Sequence, residues 1–137
     1  MQKERVSDNV YWFQSDVYAQ VTAGAIIGPQ WAIVIDTLMP EETPLIKQFI
    51  ENELLVPVRY VINTHHHADH SWGNCIFPNA TIIGHELCRE LMLGRSQSAF
   101  AEAEKNDPLF KNLCIKEASI TLAQGALFLR IGKKQIK

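Results

Sequence analysis

The segment "INTHHHADHSWGN", Ile62 to Asn74, gathers His65, His66, His67, Asp69 and His70, and among the five histidines of the chain only His85 lies outside it. Imidazole and carboxylate bind zinc and similar divalent ions, and the spacing separates two pairs, His65 with His67 and Asp69 with His70. Two pairs this close can serve two adjacent metals. The cluster is internal and follows a β-branched run, which sets it apart from a terminal expression tag. A solvated loop carries one or two histidines; four with an aspartate require a common purpose. A structural zinc site would use four protein ligands and is usually rich in cysteine, but Cys75, Cys88 and Cys114 are scattered with no C-x-x-C pair.

Such a loop needs a strand end to hold it. The run "VPVRYVIN" predicts a strand that stops just before the histidines. Upstream, "VYWF", "VYAQVTAGAII" and "WAIVI" read as an antiparallel meander from Val10 to Ile35, punctuated by Ser15-Asp16 and Gly28-Pro29-Gln30. Beyond Asp36, Thr43 reads as an N-cap and Pro44 as the first helical position. Leu45, Ile46, Phe49 and Ile50 then form the apolar stripe of a helix running to about Asn52. Strand, helix and strand make a right-handed βαβ unit. Loops at the carboxyl ends of such strands collect functional groups, so Asp36 and the loop from Thr64 should share one edge of the sheet.

Downstream, "ATIIG" reads as a strand, "HELCRELMLG" as a helix closed by Gly94, and "SQSAFAEAEKND" as a polar helix stopped by Asp107-Pro108. Two last strands are expected near Ser119 to Leu122 and Ala126 to Ile131. The apolar runs "AIVI" and "VINT" show little alternation, the pattern of a sheet covered on both faces. This chain supplies one helical layer.

The 137 residues suit a single domain, 1–137, with 47% hydrophobic and 20% charged residues, ordinary for a soluble globular protein. Thirteen Lys and Arg against fifteen Asp and Glu, a net charge of −2, provide no basic field for phosphate, so no nucleic-acid partner is expected. No run is long and apolar enough to span a membrane, and "MQKERVSDNV" does not read as a secretory signal. A cytoplasmic protein with reduced thiols is the expectation, and no membrane partner.

At Thr64, His65, His67, Asp69, His70, Gly73 and Asn74 the sequence resembles the T-H-x-H-x-D-H signature of the metallo-β-lactamase superfamily. "AGAIIGPQWAIVIDT" resembles the family's hairpin ending in a strand-terminal aspartate, and "FPNATIIGHEL" its next strand and helix. The resemblance implies an α/β fold, the αββα sandwich, of which this chain would hold the N-terminal half: a mixed sheet with helices on one face. It implies that His65 and His67 hold a first metal and Asp69 and His70 a second, with a bridging water or hydroxide as nucleophile that Asp69 also orients. Asp36 would accept a hydrogen bond from a ligand imidazole and fix its tautomer. The cofactor would be one or two zinc ions, with iron or manganese as alternatives; flavin-linked di-iron members tend to carry glutamate at the position of His67, so a histidine there favours zinc hydrolysis.

The reaction so implied is hydrolysis of an ester, lactone, thioester or amide-type bond in a small-molecule substrate. The family's later ligands, a histidine in a G-H-T-like loop, a bridging aspartate and a final histidine, are not in this sequence. One sheet face would be left bare, which calls for a homodimer or a separate C-terminal half. His85, at a strand end on the same edge, is a weak candidate as substitute ligand or substrate contact, because its place at a helix start favours a structural role. The competing reading is a non-catalytic half-domain that binds metal weakly or not at all and acts through a dimer surface.

Overall fold

The computed structural model describes all 137 residues. Seven strands form one sheet in sequence order: β1 (Gln2–Ser7), β2 (Val10–Gln14), β3 (Thr22–Ile27), β4 (Ala32–Ile35), β5 (Val58–Ile62), β6 (Thr81–His85) and β7 (Ile120–Leu122). The first four run antiparallel, and β4 to β7 are parallel. A separate hairpin pairs β8 (Leu129–Ile131) with β9 (Lys134–Ile136), turning at Gly132, whose φ of +58° is easy for a residue without Cβ. The crossovers carry α1 (Thr43–Gln48, prolonged by a wider turn, Phe49–Glu53), α2 (Ala68–Ser71, prolonged by a 3₁₀ turn, Trp72–Ile76), α3 (Glu86–Leu91) and α4 (Gln97–Asn106).

Register assigns the faces. Ala25, Val34, Val61 and Ile82 lie side by side across β3 to β6, all buried. On this face Ile46, Phe49 and Ile50 of the first helix join one fifteen-residue core, with Phe49 meeting Tyr11 and Phe13 edge to face. A second cluster, Trp72, Cys88, Met92, Phe100, Phe110 and Ile115, fastens the long helix to the end of the histidine loop. The opposite face carries the row Trp12, Gly24, Ile35, Ile62, Ile83, Ile120, mostly half-buried. The β8–β9 hairpin covers part of it: Ile131 lies so close to Gly28 that a Cβ there would come within 2.5 Å of it. The fold is an α/β mixed sheet with one helical layer, as the sequence implied.

One strand is added to those expected: the polar start, Gln2–Ser7, is an edge strand with every residue exposed, and its polarity is what an edge demands. Three local expectations change. Val17 to Val21 leave the third strand, because Ala19 and Gln20 take left-handed φ values of 48° and 53°. Thr43 does not cap α1 by accepting a bond; its hydroxyl donates to the carbonyls of Thr37 (2.7 Å) and Met39 (3.0 Å), because the chain before the helix folds back beneath it. Gly94 closes nothing: the helical path continues through a π-type turn, Met92–Ser96, into α4, since no left-handed residue or competing cap interrupts it there. Asp107 does end that helix, and its side chain accepts from the Leu109 N–H at 2.9 Å.

Candidate metal centre

The two parallel strands β4 and β5 end side by side, with Ile35 opposite Ile62, so Asp36 and Thr64 leave the sheet together. Asp36 adopts φ = +58° and Leu38 φ = +60°, conformations that cost on the order of 1–3 kcal/mol in non-glycine residues and persist only where neighbours enforce them. The enforcing contacts are visible. The Asp36 N–H stays on the ladder to the Ile62 carbonyl at 2.9 Å, while its buried carboxylate turns towards the histidine loop. Oδ1 accepts from the Thr64 N–H (2.8 Å), and Oδ2 accepts from the Thr64 hydroxyl (2.6 Å) and from Nδ1 of His70 (2.9 Å).

These bonds dictate two tautomers. A carboxylate beside a neutral imidazole only accepts, so His70 carries its proton on Nδ1 and presents the Nε2 lone pair. Thr64 spends its single hydroxyl proton on Asp36, so the 3.0 Å contact to Nδ1 of His65 runs the other way, with His65 donating to Thr64. His65 therefore also presents Nε2. The two rings lie 4.1 Å apart between centroids, and Asp69 Oδ2 stands 3.6 Å from Nε2 of His70. Desolvation, then the neighbouring His70 and His67, holds the His65 imidazole below its usual pKa, keeping it neutral as a ligand must be.

Backbone bracing completes this side. The His70 carbonyl accepts from the Thr37 N–H (3.0 Å), the Thr37 hydroxyl (3.2 Å) and Asn63 Nδ2 (3.2 Å). Asn63 and Asn74 exchange amide bonds at 3.0 and 2.7 Å, both buried. Gly73 fits here because a Cβ would sit 2.0 Å from Thr43 Oγ1 and 2.8 Å from Thr37 Oγ1.

The sequence-derived ligand set is thus placed unevenly. Asp36, His65 and His70 each bring one ligand atom within 4.8 Å of the others. Both oxygens of Asp36 are already engaged, which makes it the acceptor that orients His70 rather than a free donor to a metal. His67 is exposed on the same loop, its ring 4.7 Å from that of His65. The His66 ring also stands 4.7 Å from that of His67, and its pKa is lowered by desolvation and then by His67, His65 and Arg95. His85 caps α3, with Nδ1 accepting from the Leu87 N–H at 3.0 Å and Nε2 placed 3.3 Å from the Ala123 carbonyl. The bracing role of Thr37, Asn63 and Thr43 carries no local signal in the sequence; only Thr64, Gly73 and Asn74 were marked, by the signature.

The donor chemistry, imidazole nitrogens beside a carboxylate, fits a divalent ion. Comparisons with known proteins agree with this chemistry. No curated protein matches the sequence. Among solved structures, a Cronobacter sakazakii metallo-beta-lactamase with a HARLDQ motif shares 21% identity at a TM-score of 0.72, covering 98% of this chain and 51% of that one. BJP-1, a subclass B3 metallo-beta-lactamase of Bradyrhizobium japonicum, shares 22% at 0.70, with 98% and 50% covered. Native FEZ-1 metallo-beta-lactamase from Legionella gormanii shares 19% at 0.71, with 98% and 51% covered. The chain thus spans about half the length of these structures. The family model of the metallo-beta-lactamase superfamily matches residues 18–123, and the chain belongs to that superfamily.

Proposed function

We propose that this chain carries the first half of the active site of a metal-dependent hydrolase, zinc being the favoured ion, that cleaves an ester, lactone, thioester or amide-type bond in a small molecule. One observation carries the reading: the bonds of Asp36 and Thr64 orient His70 and His65 through Nδ1, leaving Nε2 of each free, that of His70 3.6 Å from Asp69. In this reading His65 and His67 hold one ion and Asp69 and His70 the other. A divalent ion bound there supplies Lewis acidity and makes water acidic enough to be a nucleophile near neutral pH. The Asp69 carboxylate orients that water, and Asp36 holds the His70 proton away from the ligand face.

Catalytic zinc keeps three protein ligands, so the half-site needs more donors. They come from the complementary half of the fold, in a longer chain, on a separate chain or through a second copy seated on the half-open sheet face. A cytoplasmic setting with reduced thiols belongs to this reading; the three cysteines are unpaired, and no helix is long and apolar enough to cross a membrane. A non-catalytic half-domain is favoured by the shortage of donors and by the exposed His67, whose side chain makes no hydrogen bond within the chain.

Elemental analysis of protein purified without added metal, with Asp69→Ala beside it, tests the reading. One or more ions per chain, lost in the variant, followed by zinc-dependent ester or lactone turnover, is the expected result. Folded protein that holds no metal even when zinc and a complementary half are supplied would overturn it.

A further inference from the structure

A cleft of about 140 Å³ opens between the histidine loop and the long helix, walled by His66, His67, Trp72, Arg95 and Ser96. Among its polar side chains Arg95 brings a guanidinium with free N–H groups, and no carboxylate lines it. Arg95 is exposed and, like Arg130, joins no salt bridge, whereas Arg5 and Arg89 are matched with Asp8 and Glu117 and Arg59 lies over aromatic rings. The indole N–H of Trp72 is buried with no acceptor, the one such side-chain atom in the structure. Ser96 ties the helix to the loop by donating to the His66 carbonyl at 3.3 Å. The π-type turn, Met92–Ser96, is where Arg95 and Ser96 meet this cleft, and π-turns within helices concentrate at functional positions.

We propose that this cleft anchors a carboxylate of the substrate, with Arg95 as the specificity-determining residue, so that the hydrolase acts on anionic acyl compounds. The inference rests on the metal-hydrolase reading and adds the substrate's charge. His67 joins the two sites, since it lines the cleft and stands in the ligand set, its ring 4.7 Å from that of His65. The planar guanidinium fork matches a carboxylate in bidentate fashion, and a cleft this small admits an acid group with a few carbons.

The test uses the whole chain with metal removed by a chelator, at pH 8. Benzoate, benzamide and inorganic phosphate are titrated separately while the Trp72 indole N–H and Arg95 Nε–H resonances are followed by NMR. The expected result is a saturable shift with benzoate, weakened about tenfold or more by Arg95→Gln, with Arg95→Lys in between, and by loss of charge in benzamide. An equal response to benzamide, unchanged benzoate binding in Arg95→Gln, or no shift at all would overturn the proposal; tighter binding of phosphate than benzoate would overturn the carboxylate assignment. Metal content, measured on the same preparation, separates the two readings. Metal without an Arg95-dependent shift sinks the anchor alone, and the shift without metal under any loading keeps an anion site while removing the hydrolase.

Discussion

His70 and His67 sit three residues apart on one loop and are held in opposite ways. His70 is fixed at both ends: its ring bonds to Asp36, and its carbonyl takes three donors from Thr37 and Asn63. His67 is fixed only through its backbone, whose carbonyl accepts from the N–H groups of His70 and Ser71 and from the Ser71 hydroxyl, while its ring is exposed. The difference follows the sheet. Everything that holds His70 comes from the ends of β4 and β5, whereas no side chain of these strand ends reaches the His67 ring. Under the proposed metal-site reading, the chain pre-organises the His70 side of the site and leaves the His67 side unbraced.

The sharpest way to break this contrast is at Gly73. In Gly73→Ala the new Cβ would meet Thr43 and Thr37, so the brace behind His70 must shift. A loss of about 2–3 kcal/mol in denaturant unfolding is expected. Unchanged stability would show that the Thr37–Thr43 brace yields freely. Next is Asp36→Asn, which replaces a buried three-bond acceptor. It should cost about 1–3 kcal/mol and weaken zinc binding by about 10–100-fold. His67→Ala is the matched control, with stability within about 0.5 kcal/mol of the parent and weakened metal binding. If both variants moved stability alike, the two ends of the loop would not differ as described.

Thr64→Val removes the hydroxyl that passes order from Asp36 to His65, and should cost about 1 kcal/mol while loosening the His65 tautomer, visible in its ring-nitrogen NMR shifts. The smallest effect is in pH. The folded-state pKa of His65 is lowered, first by desolvation, so the unfolded chain takes up the proton more readily. Stability of the metal-free chain should be flat above the unfolded value near 6.5, fall as pH drops below it, and level off once the folded pKa is passed. His65→Gln should flatten that part of the profile; a profile of the same slope would assign it elsewhere.

Much of this arrangement was legible in the residues themselves. Alternating and β-branched runs marked the strands, and the compact signature from Thr64 to Asn74 marked the loop, because period-2 burial and metal-ligand chemistry are local properties of sequence. Edge strands and helix continuity were not. A polar run such as Gln2–Ser7 looks like coil until it is seen pairing with β2, and Gly94 looks like a helix end until the flanking turns are seen packing Met92 and Phe100 into one cluster.

By itself the sequence determined which side chains could hold metal and which strand ends would carry them, since both follow from residue type and spacing. Only the tertiary structure decided how each is held. The bonds from Asp36 to Thr64 and His70, from Asn74 to Lys116, and the fit of Gly73 against Thr43 join residues about 30 or more positions apart. Such pairs form only when parallel strands bring their ends to one edge, and no local pattern encodes that meeting.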